Sequence, residues 1–377
     1  MIDRLDIENF KCFSSLRLSF GALTLLTGFN SGGKSSAIQP LLLLSQAFKT
    51  PAFSNKLVLN GPLVRLGTSG DVLRENSDDS GVVFKLADQG EEVTWKTTAR
   101  AGDRHLIVVE QSVQPSSDPR GAIRVEALQD FPSAVLQSLK QLSYLSAVRE
   151  GADDAYPMPA SADEGVSDVG IDGRFAAYWY DYFVDSEVPA ERMHPDEPAN
   201  SLRKQLDAWL AALFPGAQAN VNHIAQVSLE SLQFRLTDIG AWRRPANVGY
   251  GFTYAFPILV ALLTASKGQM ILIDSPEAHL HPFAQSKMGR LLAHFAAAGV
   301  QIVVETHSDH LLNGARLAVR ERSLTPDALH IHYFAGASEV GNGVSTLAID
   351  QEGRIGSWPD GFFDQSEKDL ASLSGWD

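Results

Sequence analysis

The sequence is poor in residues that cross-link or anchor a chain. Among 377 residues there is one cysteine, Cys12, which excludes an internal disulfide and any cysteine-rich zinc module and fits a reducing compartment. No apolar run approaches the roughly 18 residues that a membrane span needs; residues 258–265 are typical of the short runs present. The opening Met-Ile-Asp-Arg lacks the apolar core and cleavage site of a secretory signal, so a cytoplasmic location without membrane contact is expected. Basic residues are in deficit, 31 Lys and Arg against 45 Asp and Glu, for a formal net charge of −14. That balance disfavours a non-specific nucleic-acid binder, which normally carries a basic footprint. The deficit is local, because residues 151–200 alone carry −10 and the remainder only −4, so a basic groove on one face stays compatible with the composition. Acidic, Gly/Pro/Ala-rich sequence of the kind at 151–172 reads as a solvated loop. Internal repeats, heptads and low-complexity tails are missing as well, which removes solenoids and coiled coils.

The length suits two domains of about 100–200 residues each. Alternating apolar residues in the first thirty positions predict three strands, the third at 22–27, and the Leu- and Gln-rich stretch 36–48 predicts a helix with Pro40 in its first two turns. Short β-rich segments at 56–60, 82–87, 92–98, 105–113 and 122–128, punctuated by Gly, Asp and Ser, predict a mostly antiparallel layer. A helix is expected at 133–142 and a strand at 143–148. Beyond the acidic stretch, the aromatic cluster Phe175, Tyr178, Trp179, Tyr180, Tyr182 and Phe183 reads as the core of a small helical subdomain, followed by an amphipathic helix at 201–214. From residue 227 onward strands and helices alternate, with strands at 270–274, 301–305 and 328–334 and helices at 252–265, 282–298 and 309–319. Continuous apolar strands alternating with helices predict a parallel sheet covered on both faces. The expected division is an amino-terminal lobe at 1–148, an acidic and helical insertion at 149–225, and a carboxy-terminal α/β lobe at 226–377.

Three segments carry chemistry. Gly28-x4-Gly33-Lys34-Ser35, between a predicted strand and a predicted helix, fits the P-loop pattern. Glycines let backbone N–H groups wrap a β-phosphate at a helix N-terminus, Lys34 supplies charge to the β and γ oxygens, and Ser35 offers a hydroxyl to Mg²⁺. The apolar strand Ile271-Leu-Ile-Asp274 ends in a carboxylate, at the strand end where ligands sit in open α/β sheets, which suits Asp274 to share that Mg²⁺. Glu277 is the nearest second carboxylate able to orient an attacking water. Val303-Val-Glu305-Thr306-His307 delivers a histidine at a strand end, where a neutral imidazole can bond a γ-phosphate or the lytic water. The pair His279 and His281 has the look of metal ligands, but neither cysteines nor an HExxH pattern supports a zinc site. An Asn-Lys-x-Asp base-reading motif is absent, against a GTPase.

Together with Ile7-Glu-Asn-Phe10-Lys-Cys-Phe13, Pro276-Glu-Ala-His-Leu-His-Pro282 and Glu305-Thr-His-Ser-Asp-His310, these segments resemble the ABC-type ATPases of the SMC/RecF/OLD group, specifically its short bacterial members without coiled coils. The tail from Gly353 through Trp358 and Phe363 resembles the carboxy-terminal domain of unassigned function in standalone members. The resemblance implies an α/β P-loop NTPase of ABC/SMC-head-like architecture. It implies that Asn30, Ser31, Gly32, Gly33, Lys34, Ser35 and Ser36 hold ATP, with Lys34 and Ser35 as Walker A residues, Asp274 as the Walker B carboxylate and His307 as the switch histidine. Asn247-Val-Gly249-Tyr-Gly251-Phe-Thr253-Tyr is similar to the signature segment, so Gly249, Gly251 and Thr253 are expected to meet the γ-phosphate of an opposite copy in a homodimer or higher homo-oligomer.

Two departures stand out: Ser275 occupies the usual catalytic-glutamate position, and Thr253 replaces the commoner signature serine. OLD-type relatives carry a fused nuclease, for which no room is left before Asp377, so a separate effector protein is expected. The function implied is an ATP-hydrolysing switch, in a setting of bacterial antiviral defence or DNA maintenance. The alternative is a non-hydrolysing ATP-sensing scaffold, which Ser275 would permit. Arg243, Arg244, Arg316, Arg320 and Arg322 are the candidates for DNA contact.

Overall fold

The structure is a computed structural model and describes residues 1–50, 55–75, 77, 79–115, 123–124, 132–151, 153–160, 166–336, 343–359 and 362–374. The chain divides into two compact units, one comprising residues 2–136 and 325–377, the other residues 137–324 with Met1.

The first unit opens with β1 (Arg4–Phe10), β2 (Phe13–Ser19) and β3 (Leu23–Gly28), followed by α1 (Lys34–Lys49). It continues with β4 (Lys56–Val58), a single helical turn α2 (Ser69–Val72), β5 (Val83–Asp88), β6 (Glu91–Thr98), β7 (His105–Gln114) and β8 (Ile123–Arg124). Strands β2-β1-β5-β6-β7-β4 lie side by side, every neighbouring pair antiparallel, which is the layer that the Gly- and Asp-punctuated pattern predicts. Of the strand expected at 122–128, only Ile123–Arg124 falls among the described residues, antiparallel to β7. The inward faces bury Leu5, Ile7, Phe84, Leu86 and Trp95, while the other faces keep Lys85, Lys96 and Glu110. This is the period-two alternation of a sheet with one face in the core. By contrast β3 is buried along nearly its whole length, as a strand covered on both sides must be.

In the second unit α3 (Ala134–Gln141), which runs across the division, leads into β9 (Ser143–Leu145). Then come β10 (Tyr156–Pro157), α4 (Ala176–Phe183), α5 (Leu202–Leu213), β11 (Gln218–Ile224) and β12 (Leu229–Arg235). The remainder is α6 (Tyr250–Thr264), β13 (Met270–Asp274), α7 (Pro282–Ala297), β14 (Gln301–Glu305) and α8 (Asp309–Arg320). β9, β13 and β14 are parallel and in register, β13 central, so Asp274 lies opposite Glu305 at their carboxyl ends. A separate antiparallel group orders β10-β12-β11. The aromatic cluster is core on one side of α4, where Trp179 and Tyr180 are buried and Tyr180 packs edge-on against Phe256 of α6. Its other side is open, with Tyr182 exposed and stacked on Tyr178.

The chain then returns to the first unit through β15 (Leu329–Phe334) and β16 (Val344–Leu347), ending in α9 (Gln365–Ser374). β15 pairs parallel with β3 along its length, Phe334 opposite Gly28, and antiparallel with β16. No helix among the described residues is long and apolar enough to cross a membrane.

Candidate functional site

Within the first unit, the loop from Gly28 to Gly33 joins β3 to α1 and is moulded by backbone geometry. Gly28 has φ 128° and Gly33, the residue before α1, has φ 100°, both in the region that side-chain-bearing residues avoid. Space enforces the same choice. A Cβ on Gly28 would stand 2.2 Å from the Phe334 carbonyl oxygen, and one on Gly33 would stand 2.7 Å from the Phe13 ring. The loop is tied down by the Phe29 N–H donating to the Phe334 carbonyl at 3.0 Å and the Gly32 N–H donating to the Phe29 carbonyl at 3.1 Å. Lys34 is buried, and its ammonium folds back to donate to the carbonyls of Gly28 at 3.0 Å and Phe29 at 2.9 Å. The loop therefore closes around a cationic head at the N-terminus of a 16-residue helix. Backbone N–H groups at a helix N-terminus, the helix dipole and an ammonium are the elements from which anion sites are built. Asn30, Ser31 and Ser35 are exposed around it, and Ser36 bonds the exposed Cys12 thiol.

In the second unit, the carboxyl ends of β13 and β14 gather the acidic residues. Asp274 ends β13. Ser275 turns the chain with φ 49°, its N–H donating to the Glu305 carbonyl at 2.8 Å and its hydroxyl to Asp274 Oδ1 at 2.9 Å. Glu277 reaches across to the turn after β14, where Oε1 accepts from the His307 N–H at 2.8 Å. Its Oε2 is buried and has no hydrogen-bond partner among the described residues, and burial raises its pKa above the ordinary carboxylate value. The His307 side chain is exposed beside it. Ser308 caps α8 by accepting from the Leu311 N–H at 3.0 Å and donates to Gln285 at 2.6 Å, which fixes the turn that carries His307. A buried carboxylate with one oxygen left without a hydrogen bond calls for a functional explanation.

The start of α6 differs from its sequence expectation by two residues: the helix begins at Tyr250, with Gly249 as its extended cap. Gly249 opens on empty space, whereas a Cβ on Gly251 would approach the His279 carbonyl oxygen to 3.0 Å. The Thr253 hydroxyl donates to the Tyr250 carbonyl at 3.0 Å and the residue is only 2% exposed. His279 is held at φ 61° with its ring against Tyr250 and Tyr254, and His281 caps α7, accepting from the Phe283 N–H at 3.3 Å. Neither histidine joins a metal-ligand cluster, and none exists among the described residues.

Sequence reasoning missed Arg149. It lies just after β9 and is 4% exposed, with Nη2 donating to the Asp274 carbonyl and Nη1 to the Ser275 carbonyl at 3.4 Å. Burial lowers its pKa to about 10, which leaves it charged at neutral pH. The available signal was an arginine ending an apolar strand, which the sequence alone cannot tell from a surface cation. Of the proposed DNA contacts, Arg244 is paired with Asp154 at 2.9 Å and Arg316 with Asn313 at 2.7 Å, while Arg243, Arg320 and Arg322 are exposed.

Residues 23–313 match the family model described as "AAA domain, putative AbiEii toxin, Type IV TA system". The chain belongs to this AAA-domain family. Residues 324–373 match a second model, a protein of unknown function designated DUF3696. Among solved structures, the AAA-domain chain is similar to an Smc head bound to the C-terminal winged-helix domain of ScpA, with 13% identity over 93% of this chain and 98% of that one and a TM-score of 0.50. It is also similar to the Smc head domain with an extended coiled coil bound to the C-terminal domain of ScpA from Pyrococcus furiosus, with 10% identity, 99% of each chain and a TM-score of 0.51. These likenesses give the fold, an SMC-head P-loop ATPase architecture with antiparallel and parallel sheets, as the sequence predicts. Comparison with curated proteins returned no match.

Proposed function

We propose that this AAA-domain protein binds ATP with Mg²⁺, closes into an ATP-sandwiched homodimer, and by hydrolysis switches a separate effector protein. The observation that carries this reading is the glycine-built loop closed around the buried Lys34 ammonium, an anion cradle that a mere turn would not need. Asn30, Ser31, Gly32, Gly33, Ser35 and Ser36 would line the phosphates. The hydroxyl of Ser35 and the carboxylate of Asp274 are hard oxygen donors of the kind Mg²⁺ takes, and they are the residues assigned to hold it. When bound, that ion neutralises charge on the β and γ oxygens. Glu277 accepts the proton of the attacking water, a task suited to a carboxylate whose free oxygen is already desolvated. The exposed His307 ring then contacts the γ-phosphate. Gly249 and Gly251 open α6 towards the nucleotide of the opposite copy, with Thr253 supporting the turn from within.

Support for a separate effector comes from the Smc heads of this fold, whose structures hold a domain of another protein, ScpA. The AbiEii and toxin–antitoxin wording of the family description supports a cytoplasmic role in bacterial defence. The exposed Arg320 and Arg322 on and after α8 are the groups a polyanion would meet. One observation favours a second reading, a slow or non-hydrolysing ATP sensor: the Ser275 hydroxyl bonds Asp274 where a glutamate usually stands. Steady-state phosphate release decides between them. Turnover that Lys34→Ala and Glu277→Gln both abolish establishes the hydrolase, tight Mg-ATP binding without turnover establishes the sensor, and a chain that ignores Mg-ATP overturns both.

A further inference from the structure

We propose that Arg149 is a positioning residue that locks the carboxylate-bearing end of β13 to the opening turn of α6, so that the acidic and signature segments move as one body. The inference rests on the ATPase reading above, and every residue in it lies in the unit of residues 137–324.

Two chain segments meet at this guanidinium, and Tyr254 and Tyr250 link it onward to two more. Its planar fork reaches two consecutive carbonyls, those of Asp274 and Ser275, at the point where Ser275 adopts φ 49° and the chain turns out of β13. Buried carbonyls need donors; the arginine donates to both, and the Ser275 carbonyl also accepts from the Ala278 N–H at 3.1 Å. The same guanidinium lies over the Tyr254 ring at 5.5 Å, which ties it to the first turns of α6. Tyr254 and Tyr250 in turn hold the His279 ring between them, at 4.6 and 5.5 Å. Gly151, two residues after the arginine, sits so close to α6 that a Cβ there would stand 2.9 Å from the Tyr250 ring.

Nε of Arg149 has no partner among the described residues, so the group is not optimised as a structural plug. Its hydrogen bonds go to backbone carbonyls at the strand end, while the charges of Asp274 and Glu277 attract it without a direct bond. The consequence is positional. Displacing Arg149 shifts Asp274 and Glu277 relative to Gly249 and Gly251. Misplacement by about 1 Å is enough to cost a rate factor near 100.

The test compares the full-length chain with Arg149→Lys, Tyr254→Leu, Tyr254→Phe and the Arg149→Lys/Tyr254→Leu pair. Lysine keeps the charge but cannot bridge two carbonyls with a fixed fork. Arg149→Lys is expected to keep Mg-ATP affinity by calorimetry within about twofold while kcat, or ATP-driven association if the parent does not turn over, falls about 10–100-fold with KM unchanged. Tyr254→Phe retains the ring and the parent value, and Tyr254→Leu reproduces the loss. The double variant is no worse than the poorer single one, as for two parts of one device. A parent-like Arg149→Lys, or losses that simply add, overturns the proposal while leaving the ATPase reading standing; a parent that binds no nucleotide overturns that reading instead. If Arg149→Lys does not fold, Tyr254→Leu decides alone, since it leaves the guanidinium and its carbonyl bonds in place.

Discussion

The glycine loop at 28–33 and the acidic strand ends of β13 and β14 achieve their geometry by opposite means. The first is made of backbone: left-handed glycines, a helix N-terminus, and one ammonium folded onto two carbonyls. The second is made of side chains drawn from distant parts of the sequence, with Arg149, Tyr254, Asp274, Glu277 and the turn before α8 converging on two strand ends. A backbone-built site is rigid and intolerant of any added atom. A side-chain-built site depends on burial to hold charges that solvent would otherwise scatter, and its weak points are electrostatic.

That contrast can be broken at either end. The largest effect is expected from Glu277→Gln, which should lower kcat by about 100–10,000-fold while leaving Mg-ATP binding intact. The parent kcat should rise with pH through a midpoint above the ordinary glutamate value, because the buried carboxyl must first ionise, and the glutamine variant should lack that limb. Stability should run the other way. A carboxyl whose folded pKa is raised contributes stability below its unfolded pKa and loses it as pH rises through the folded one. Next is Lys34→Ala, expected to weaken Mg-ATP binding about 10–100-fold by calorimetry through loss of a charge-assisted contact. Gly33→Ala should match or exceed that loss, since its Cβ meets the Phe13 ring at 2.7 Å. If the alanine variant binds as the parent does, the loop is not backbone-limited and the comparison fails.

Gly249→Arg sharpens the dimer reading more cleanly than a change at Gly251 or Thr253. Gly249 has an ordinary φ of −67° and open space at its Cβ, so the fold should tolerate the new side chain. Sedimentation with Mg-ATP should show monomers that still bind nucleotide, with association weakened about tenfold or more; an unchanged dimer removes the signature assignment. The smallest effect is remote from both sites. Asp207 of α5 is desolvated until its pKa reaches about 6, so stability should fall as pH rises from 3.8 through that value. Asp207→Asn, which keeps an acceptor for the Ala219 N–H, should abolish that fall and gain on the order of 1 kcal/mol in urea unfolding at neutral pH.

The sequence by itself determined the regular parts and the backbone-made cradle. The strands at 270–274 and 301–305 were readable to the residue, because short apolar runs bounded by turn residues and alternating with helices fit strands covered on both faces. The loop at 28–35 was readable because glycine spacing encodes a backbone conformation locally. Tertiary structure alone decided the rest. It set the burial that leaves one oxygen of Glu277 unpaired and the seat of Arg149 beneath Asp274. Each of these depends on what a side chain meets across more than a hundred residues or on how far water is excluded, and desolvation is a property of the packed fold that no local pattern records.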